Sequence, residues 1–273
     1  LRVLGVSTEQ PELIASTCEQ TPEAFDELAA EVTYRALLVD PAGEGRPIQY
    51  QLWACAAQDD RTCANEADRA LLAEGTTTAG ELTLPIRPGA ARVSPDKLLL
   101  ELAEDAYKGL GGIRMPLVLR VSAGDEEVYA QKLMVFWCPV VEGMTANVQP
   151  VLPGLRVDDV PWPEGEPLEL SGPGPFVMTS EDVSDREEAY VVPGLRLQAV
   201  NLKEAWEIAW YTTLGEFNLS ETGGADFGGQ QGRHRVEWEP AEGALSQEVT
   251  FWAVVRDGRG GSSWLVRRAR WSP

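Results

Sequence analysis

The chain has 273 residues, 43 acidic against 23 basic, and a formal charge of −20; 44% of its residues are hydrophobic. That hydrophobic share fills a core and argues against disorder, and the length suits two domains better than one ordinary β-sandwich. The charge argues against nucleic acid and anionic membrane surfaces as partners, since a polyanion has no counterions to gain by meeting them. No apolar run reaches the roughly 18 residues of a transmembrane helix.

Leu1 to Val6 alternates and reads as an opening strand. Residues 9–29 are rich in Pro, Glu and Thr and read as a loop with one helical turn around Pro22 to Leu28. Val32, Tyr34, Ala36 and Leu38 alternate as a second strand, Asp40-Pro41-Ala42-Gly43 is a turn, and Ile48, Tyr50 and Leu52 lead into Trp53. Ala64 to Leu72 is weakly helical by composition; Glu81 to Ile86 is a short strand. Ser94-Pro95-Asp96 has the N-cap, N1 proline and first-turn acid of a helix over about 94–108, with Leu98, Leu99, Leu102 and Ala106 at helical spacing and Gly109, Gly111 and Gly112 to stop it. Leu117 to Trp137 is a long apolar hairpin turning at Ala123-Gly124-Asp125.

Residues 139–176 carry eight prolines and five glycines and read as a linker, with the hinge between Leu152 and Pro163. Beyond it, Leu195 to Val200 reads as a strand, Trp206, Ile208 and Trp210 share one strand face, and Gly215 to Asn218 begins another strand. Glu221 to Gly229 is a long glycine-rich loop, and Phe251 to Trp271 is a second long hairpin turning at Asp257-Gly258-Arg259-Gly260-Gly261. Each half thus has a strand ending in a Trp and a closing hairpin, the pattern of an immunoglobulin-like sandwich. The expected fold is mainly β: residues 1–149 as an immunoglobulin-like sandwich with an inserted helix, and residues 150–273 as a second one.

Four cysteines form an even set. The polar, turn-like stretch between Cys55 and Cys63 favours a local bridge, which leaves Cys18 to Cys138; spacing leaves the other pairings open. Paired cysteines imply an oxidising, exported location. With no CxxC and His234 as the one histidine, a Cys/His zinc site is not expected.

Leu1-Arg2-Val3-Leu4, Gln10-Pro11-Glu12, Asp40-Pro41-Ala42-Gly43 and Tyr50-Gln51-Leu52-Trp53-Ala54-Cys55 with Cys63 resemble the predicted surface lipoproteins of myxobacteria. Val254 to Gly261 with Trp264 is similar to their closing hairpin. The resemblance implies an immunoglobulin-like tandem, export, and attachment at the outer membrane or cell surface by a lipidated Cys upstream of Leu1. It supplies no catalytic residues. The chain departs from that pattern in the 9–29 segment, which holds Cys18, and in the 94–108 helix.

Catalytic chemistry has little to work with. Asp158-Asp159, Glu181-Asp182 with Asp185, and Glu187-Glu188 are oxygen-rich, but none has the spacing of a calcium loop, and solvated loop acids are the plainer reading. A glycosidase pair needs one acid with a raised pKa, and nothing marks one. His234 reads as a surface or half-buried residue, no Gly-x-Ser-x-Gly elbow is present, and the glycine pairs at 223–224 and 228–229 lack a phosphate-loop context. No cofactor and no metal are expected.

Two features suggest binding. Nine tryptophans include Trp53, Trp210 and Trp252 at core positions, Trp162 in the linker, and Trp264 and Trp271 facing either way; exposed ones are platforms for sugar rings. Arg256, Arg259, Arg267, Arg268 and Arg270 cluster in an otherwise acidic chain. Arg256, Arg259, Trp264, Arg267, Arg270 and Trp271 are therefore the expected contact set, for a protein or polysaccharide at the cell envelope. The plainer reading of the arginines is pairing with nearby acids. The expected function is a non-enzymatic binding or structural module, with a carbohydrate-binding module as the alternative and a hydrolase with an unseen site last.

Overall fold

The computed structural model describes residues 1–55, 62–91, 95–104, 112–224 and 234–273. It divides into two compact units: Leu1–Gln149 with Ala189–Lys203 and Arg259–Gly261, and Pro150–Glu188 with Glu204–Gly258 and Ser262–Pro273.

The first unit opens with β1 (Arg2–Thr8), β2 (Glu12–Ile14), α1 (Pro22–Leu28) and β3 (Val32–Val39). It continues through β4 (Ile48–Cys55), β5 (Arg69–Thr77), β6 (Glu81–Ile86), α2 (Pro88–Ala91), α3 (Pro95–Glu104), β7 (Ile113–Ala123) and β8 (Glu126–Trp137). Strands β1-β3-β6 form one sheet and β2-β8-β7-β4-β5 the other. All neighbours are antiparallel except β2, which runs parallel to β8. Strands β1, β3 and β6 thus stand as A, B and E, and β4, β7 and β8 as C, F and G, of an immunoglobulin-like sandwich. Tyr34, Ala36, Leu82 and Leu84 of one sheet and Leu52, Leu117, Leu119 and Met134 of the other share one buried core.

Two helices pack on that core. Thr21 caps α1 by accepting from the Ala24 N–H at 3.2 Å, a favourable N-terminal arrangement. Helix α3 lies between the E and F strands and buries Leu98, Leu99 and Leu102. The expected Ser94 cap and the stop at Gly109 and Gly111 fall outside the described residues.

The expected helix near residues 64–72 is corrected: one 3₁₀ turn at Glu66–Asp68 gives way to the nine-residue β5. Ala, Leu and Glu favour helix, but pairing with β4 along its whole length overrides that preference.

The second unit begins with β9 (Leu155–Val157), β10 (Val160–Trp162), β11 (Leu168–Ser171) and β12 (Phe176–Ser180). Here the expected hinge is corrected. Asp158 and Asp159 both take positive φ and turn β9 into β10, while Leu152, Leu155, Val157 and Trp162 are buried in this unit's core. Prolines suit such short edge strands, so the proline-rich run is the start of the sandwich.

Next come β13 (Ala189–Pro193) and β14 (Ala199–Lys203), a hairpin grouped with the first unit. The strand expected over 195–200 is corrected: Leu197 N–H bonds the Gly194 carbonyl, so 195–198 form the tip and β14 starts at Ala199.

The second unit resumes with β15 (Glu207–Thr212), β16 (Glu216–Phe217), β17 (Glu221–Gly223), β18 (Arg235–Glu239), β19 (Gln247–Arg256) and β20 (Ser262–Ser272). Its sheets are β10-β9-β12-β18-β16 and β11-β20-β19-β15-β17, with β11 parallel to β20. Here β9, β12, β18 and β16 are A, B, E and D, and β15, β19 and β20 are C, F and G. The chain is therefore mainly β, two immunoglobulin-like sandwiches with the same strand plan. Trp210 and Trp238 lie in the second core, with Trp238 edge-on to Phe251 at 4.9 Å between ring centres.

Candidate functional site

The structure divides the arginine and tryptophan set expected to bind. Strand β20 alternates, so Arg267, Ala269 and Trp271 are buried while Arg268 and Arg270 face solvent. Trp271 belongs to the core and donates its Nε1–H to the Gly172 carbonyl at 2.8 Å. Arg267 is buried and bonds Glu164 at 3.1 Å. Arg256 is 3.5 Å from Glu207, Arg268 is 3.6 Å from Glu248, and Arg270 is 3.3 Å from Glu169. Arg259 lies in the first unit, bonded to Glu12 at 3.1 Å and stacked over the Tyr190 ring. Trp264 is half-buried and shares the outward-facing parity of Arg268 and Arg270. The six are not one surface, and each of these arginines sits beside an acid.

The tryptophans are mainly structural. Eight of the nine are buried, and Trp264 is half-buried. Trp162 lies edge-on to Phe251 in the second core rather than in a linker. Trp252 alternates with the core residues Phe251 and Ala253, and Trp53 is likewise off its sandwich core. Both are buried, as expected, but two-residue alternation turns them to the face opposite the inter-sheet core.

His234 is also corrected: it is buried. Its Nδ1 lies 3.1 Å from the Thr222 carbonyl and 3.3 Å from the Thr222 hydroxyl. Burial pulls its pKa below the ordinary histidine value. Gly223 is required beside it, because a Cβ there would come within 2.1 Å of the imidazole. Nearby, Glu187 accepts the Trp206 main-chain N–H at 3.0 Å, and Glu204 accepts the Trp206 indole N–H at 2.9 Å. Burial raises the Glu204 pKa. These groups hold the second unit's backbone together. Asp158 and Asp182 likewise accept main-chain N–H groups, of Val177 and Ser184, each at 2.9 Å. Among the described residues no group of three or more His, Cys, Asp or Glu side chains is placed to hold a metal.

The outer face of the first unit's five-stranded sheet does bring polar side chains together. Pairing registers align side chains in rows across β5, β4, β7 and β8. One row is Leu71, Trp53, Val118 and Gln131; the next is Glu74, Gln51, Arg120 and Tyr129; the third is Thr76, Gln49, Ser122 and Glu127. The first row holds a small buried cluster of Trp53, Val118 and the Cys55–Cys63 pair. Arg69 lies over the Trp53 ring at 4.8 Å and bonds the Cys63 carbonyl.

A hydrogen-bonded ladder runs along the second row and ties into Glu127 of the third. Gln51 donates to Glu74 at 3.3 Å, Arg120 donates to Gln51 at 3.1 Å and to Glu127 at 2.7 Å, and Tyr129 donates to Glu127 at 2.8 Å. The Arg120 guanidinium, and then the Tyr129 hydroxyl, hold the Glu127 carboxyl below the usual range. Beside the ladder lies a groove of about 380 Å³ lined by Gln49, Tyr50, Gln51, Glu74, Gly75, Thr76, Arg120 and Ser122. Leu71 of β5 and Tyr129 of β8, outside the groove lining, are exposed. Sequence reasoning missed this face. The available signal was the polar set Gln49 and Gln51 alternating with Tyr50 and Leu52.

The structure pairs Cys18 with Cys138 as well as Cys55 with Cys63. Two disulfides fit an extracellular protein. No described helix is long and apolar enough to cross a membrane. No family model matches the chain, and no curated protein does. Solved structures similar to it include the periplasmic chaperone SfaE, at 12% identity and TM-score 0.27 over 98% of this chain and 99% of that one. The two tandem V-type regions of VCBP3, a v-region-containing chitin binding protein, align at 10% identity and TM-score 0.27 over all of both chains. The FN1–FN3 domains of chicken CNTN1 align at 8% identity and TM-score 0.20 over 88% of this chain and 62% of that one.

Proposed function

We propose that this chain is an exported, non-enzymatic binding module, held at the outer cell surface by a lipid anchor upstream of Leu1, whose contact face is the outer face of the first unit's five-stranded sheet. The observation that carries the reading is the groove bordered by a four-strand ladder from Glu74 to Tyr129. Concave sites with a few convergent polar groups are where small ligands and partner side chains seat, and a ladder held by ion pairing keeps its geometry before a partner arrives. The non-enzymatic reading is supported by His234 and Glu204. They are buried and hydrogen-bonded to neighbouring groups within the second unit. The anchor rests on the sequence resemblance to surface lipoproteins, and export is supported by the two disulfides.

Ser122→Trp fills the groove from an outward-facing strand position. Wild-type protein should sediment with envelope fragments of the producing cells, and the variant should remain in solution. Equal sedimentation of the two proteins would refute this face as the contact surface.

A further inference from the structure

The chemistry of the groove narrows the ligand. Besides Tyr50 and Gly75, its lining draws six polar side chains from the outer rows: two amides, two hydroxyls, one carboxylate and one guanidinium. The guanidinium of Arg120 is already paired with Glu127, from Nε at 2.7 Å and again from an Nη, so Glu74, Arg120 and Glu127 together carry one negative charge. An anionic ligand would have to displace that carboxylate while approaching a chain of net charge −20. A cation would meet Glu74 alone among acids of the lining, already bonded to Gln51. An apolar ligand would strip water from six polar groups without replacing its hydrogen bonds, which is unfavourable at each one.

What remains is a neutral ligand rich in both donors and acceptors. Amides and hydroxyls each offer both, which suits hydroxyl groups that must donate and accept at once. The spacing fits too. Rows lie two residues apart along each strand, about 7 Å, and neighbouring strands are about 5 Å apart. That grid is on the scale of one sugar ring. Tyr129, beside Arg120 in the second row, adds an exposed aromatic ring, and a pyranose likewise carries polar edges and an apolar C–H face, which aromatic side chains cover well.

We infer that the groove between Gln49, Gln51, Glu74, Thr76, Arg120 and Ser122 binds a neutral glycan through the hydroxyls of one or two sugar rings, an inference that rests on the reading of this face as the contact surface. Gln51 and Arg120 would orient the ring edge, Gln49 and Ser122 would take the adjacent hydroxyls, and Tyr129 would border the C–H face.

The test uses the whole chain on a printed array of neutral oligosaccharides spanning glucose, galactose, mannose and N-acetylhexosamine linkages, with alginate and hyaluronan fragments as anionic members. At least one neutral member should bind, with affinity about tenfold or more above that of Ser122→Trp, which corresponds to at least about 1.4 kcal/mol. The Gln49→Ala, Gln51→Ala double variant, which adds no bulk to the sheet, should lose the same signal while keeping the wild-type circular dichroism spectrum. The signal should hold from low to high salt, since no charge is exchanged. Binding confined to alginate or hyaluronan, or neutral binding that survives both variants, would overturn the glycan assignment. An array without signal, combined with envelope sedimentation that Ser122→Trp abolishes, would overturn the glycan class and leave the contact face standing. Sedimentation indifferent to Ser122→Trp would remove the face itself.

Discussion

Trp53 and Trp210 occupy corresponding C strands but face different environments. Trp210 shares the second core with Trp206, Phe251 and Trp238, and its indole N–H donates to the Thr222 hydroxyl at 2.9 Å. Trp210→Ala should therefore lower unfolding stability by about 3–5 kcal/mol, the range for emptying a large aromatic site; urea titration of the whole chain followed by circular dichroism measures it. The same hydroxyl approaches His234, whose neutral form burial favours. Because the folded pKa is depressed, the stability His234 contributes is present above the unfolded value of about 6.5 and is lost as pH falls through the folded value. Wild type should lose more stability than His234→Gln when urea titrations are moved from about pH 7.5 to about pH 5. Parallel loss in both proteins would mean that His234 titrates as an exposed residue does.

Elements were legible where one face is wet. Strand β6 alternates exposed and buried residues throughout, and its limits match the Glu81 to Ile86 pattern. The hairpins β7–β8 and β19–β20 announce themselves by length and by Gly124 and Gly258 at their turns. Strand β5 was not legible, because Ala70, Leu71, Leu72 and Ala73 are good helix formers and only pairing with β4 makes them a strand. Strands β9 and β10 were hidden for another reason: three-residue edge strands flanked by proline have the composition of a linker. The candidate groove was barely legible, since the six polar side chains come from three strands and meet only through register. Beside it, the Cys55–Cys63 bridge closes a loop for which chain entropy gives about 2.5 kcal/mol. Cys55→Ser with Cys63→Ser should reduce stability by about that amount in the same urea assay; an unchanged midpoint would show that the bridge constrains nothing in the unfolded chain.

At the scale of the molecule, the strand plan repeats while the chemistry does not. Both units order their strands A, B, E against C, F, G, with an early strand running parallel to the last. The arginine-bearing hairpin stood out in the sequence because basic residues are scarce, yet its arginines are answered by Glu164, Glu169, Glu207 and Glu248. Charge scarcity marks conspicuous residues, whereas a contact face needs side chains that converge, and convergence depends on long-range pairing. On the proposed function, contact is made by the outer sheet face of the first unit and not by that hairpin. A side-by-side sedimentation of wild type, Ser122→Trp and Arg270→Glu with envelope fragments decides between them most directly. Arg270→Glu should sediment like wild type while Ser122→Trp stays in solution; sedimentation of Ser122→Trp with release of Arg270→Glu would return the contact to the hairpin.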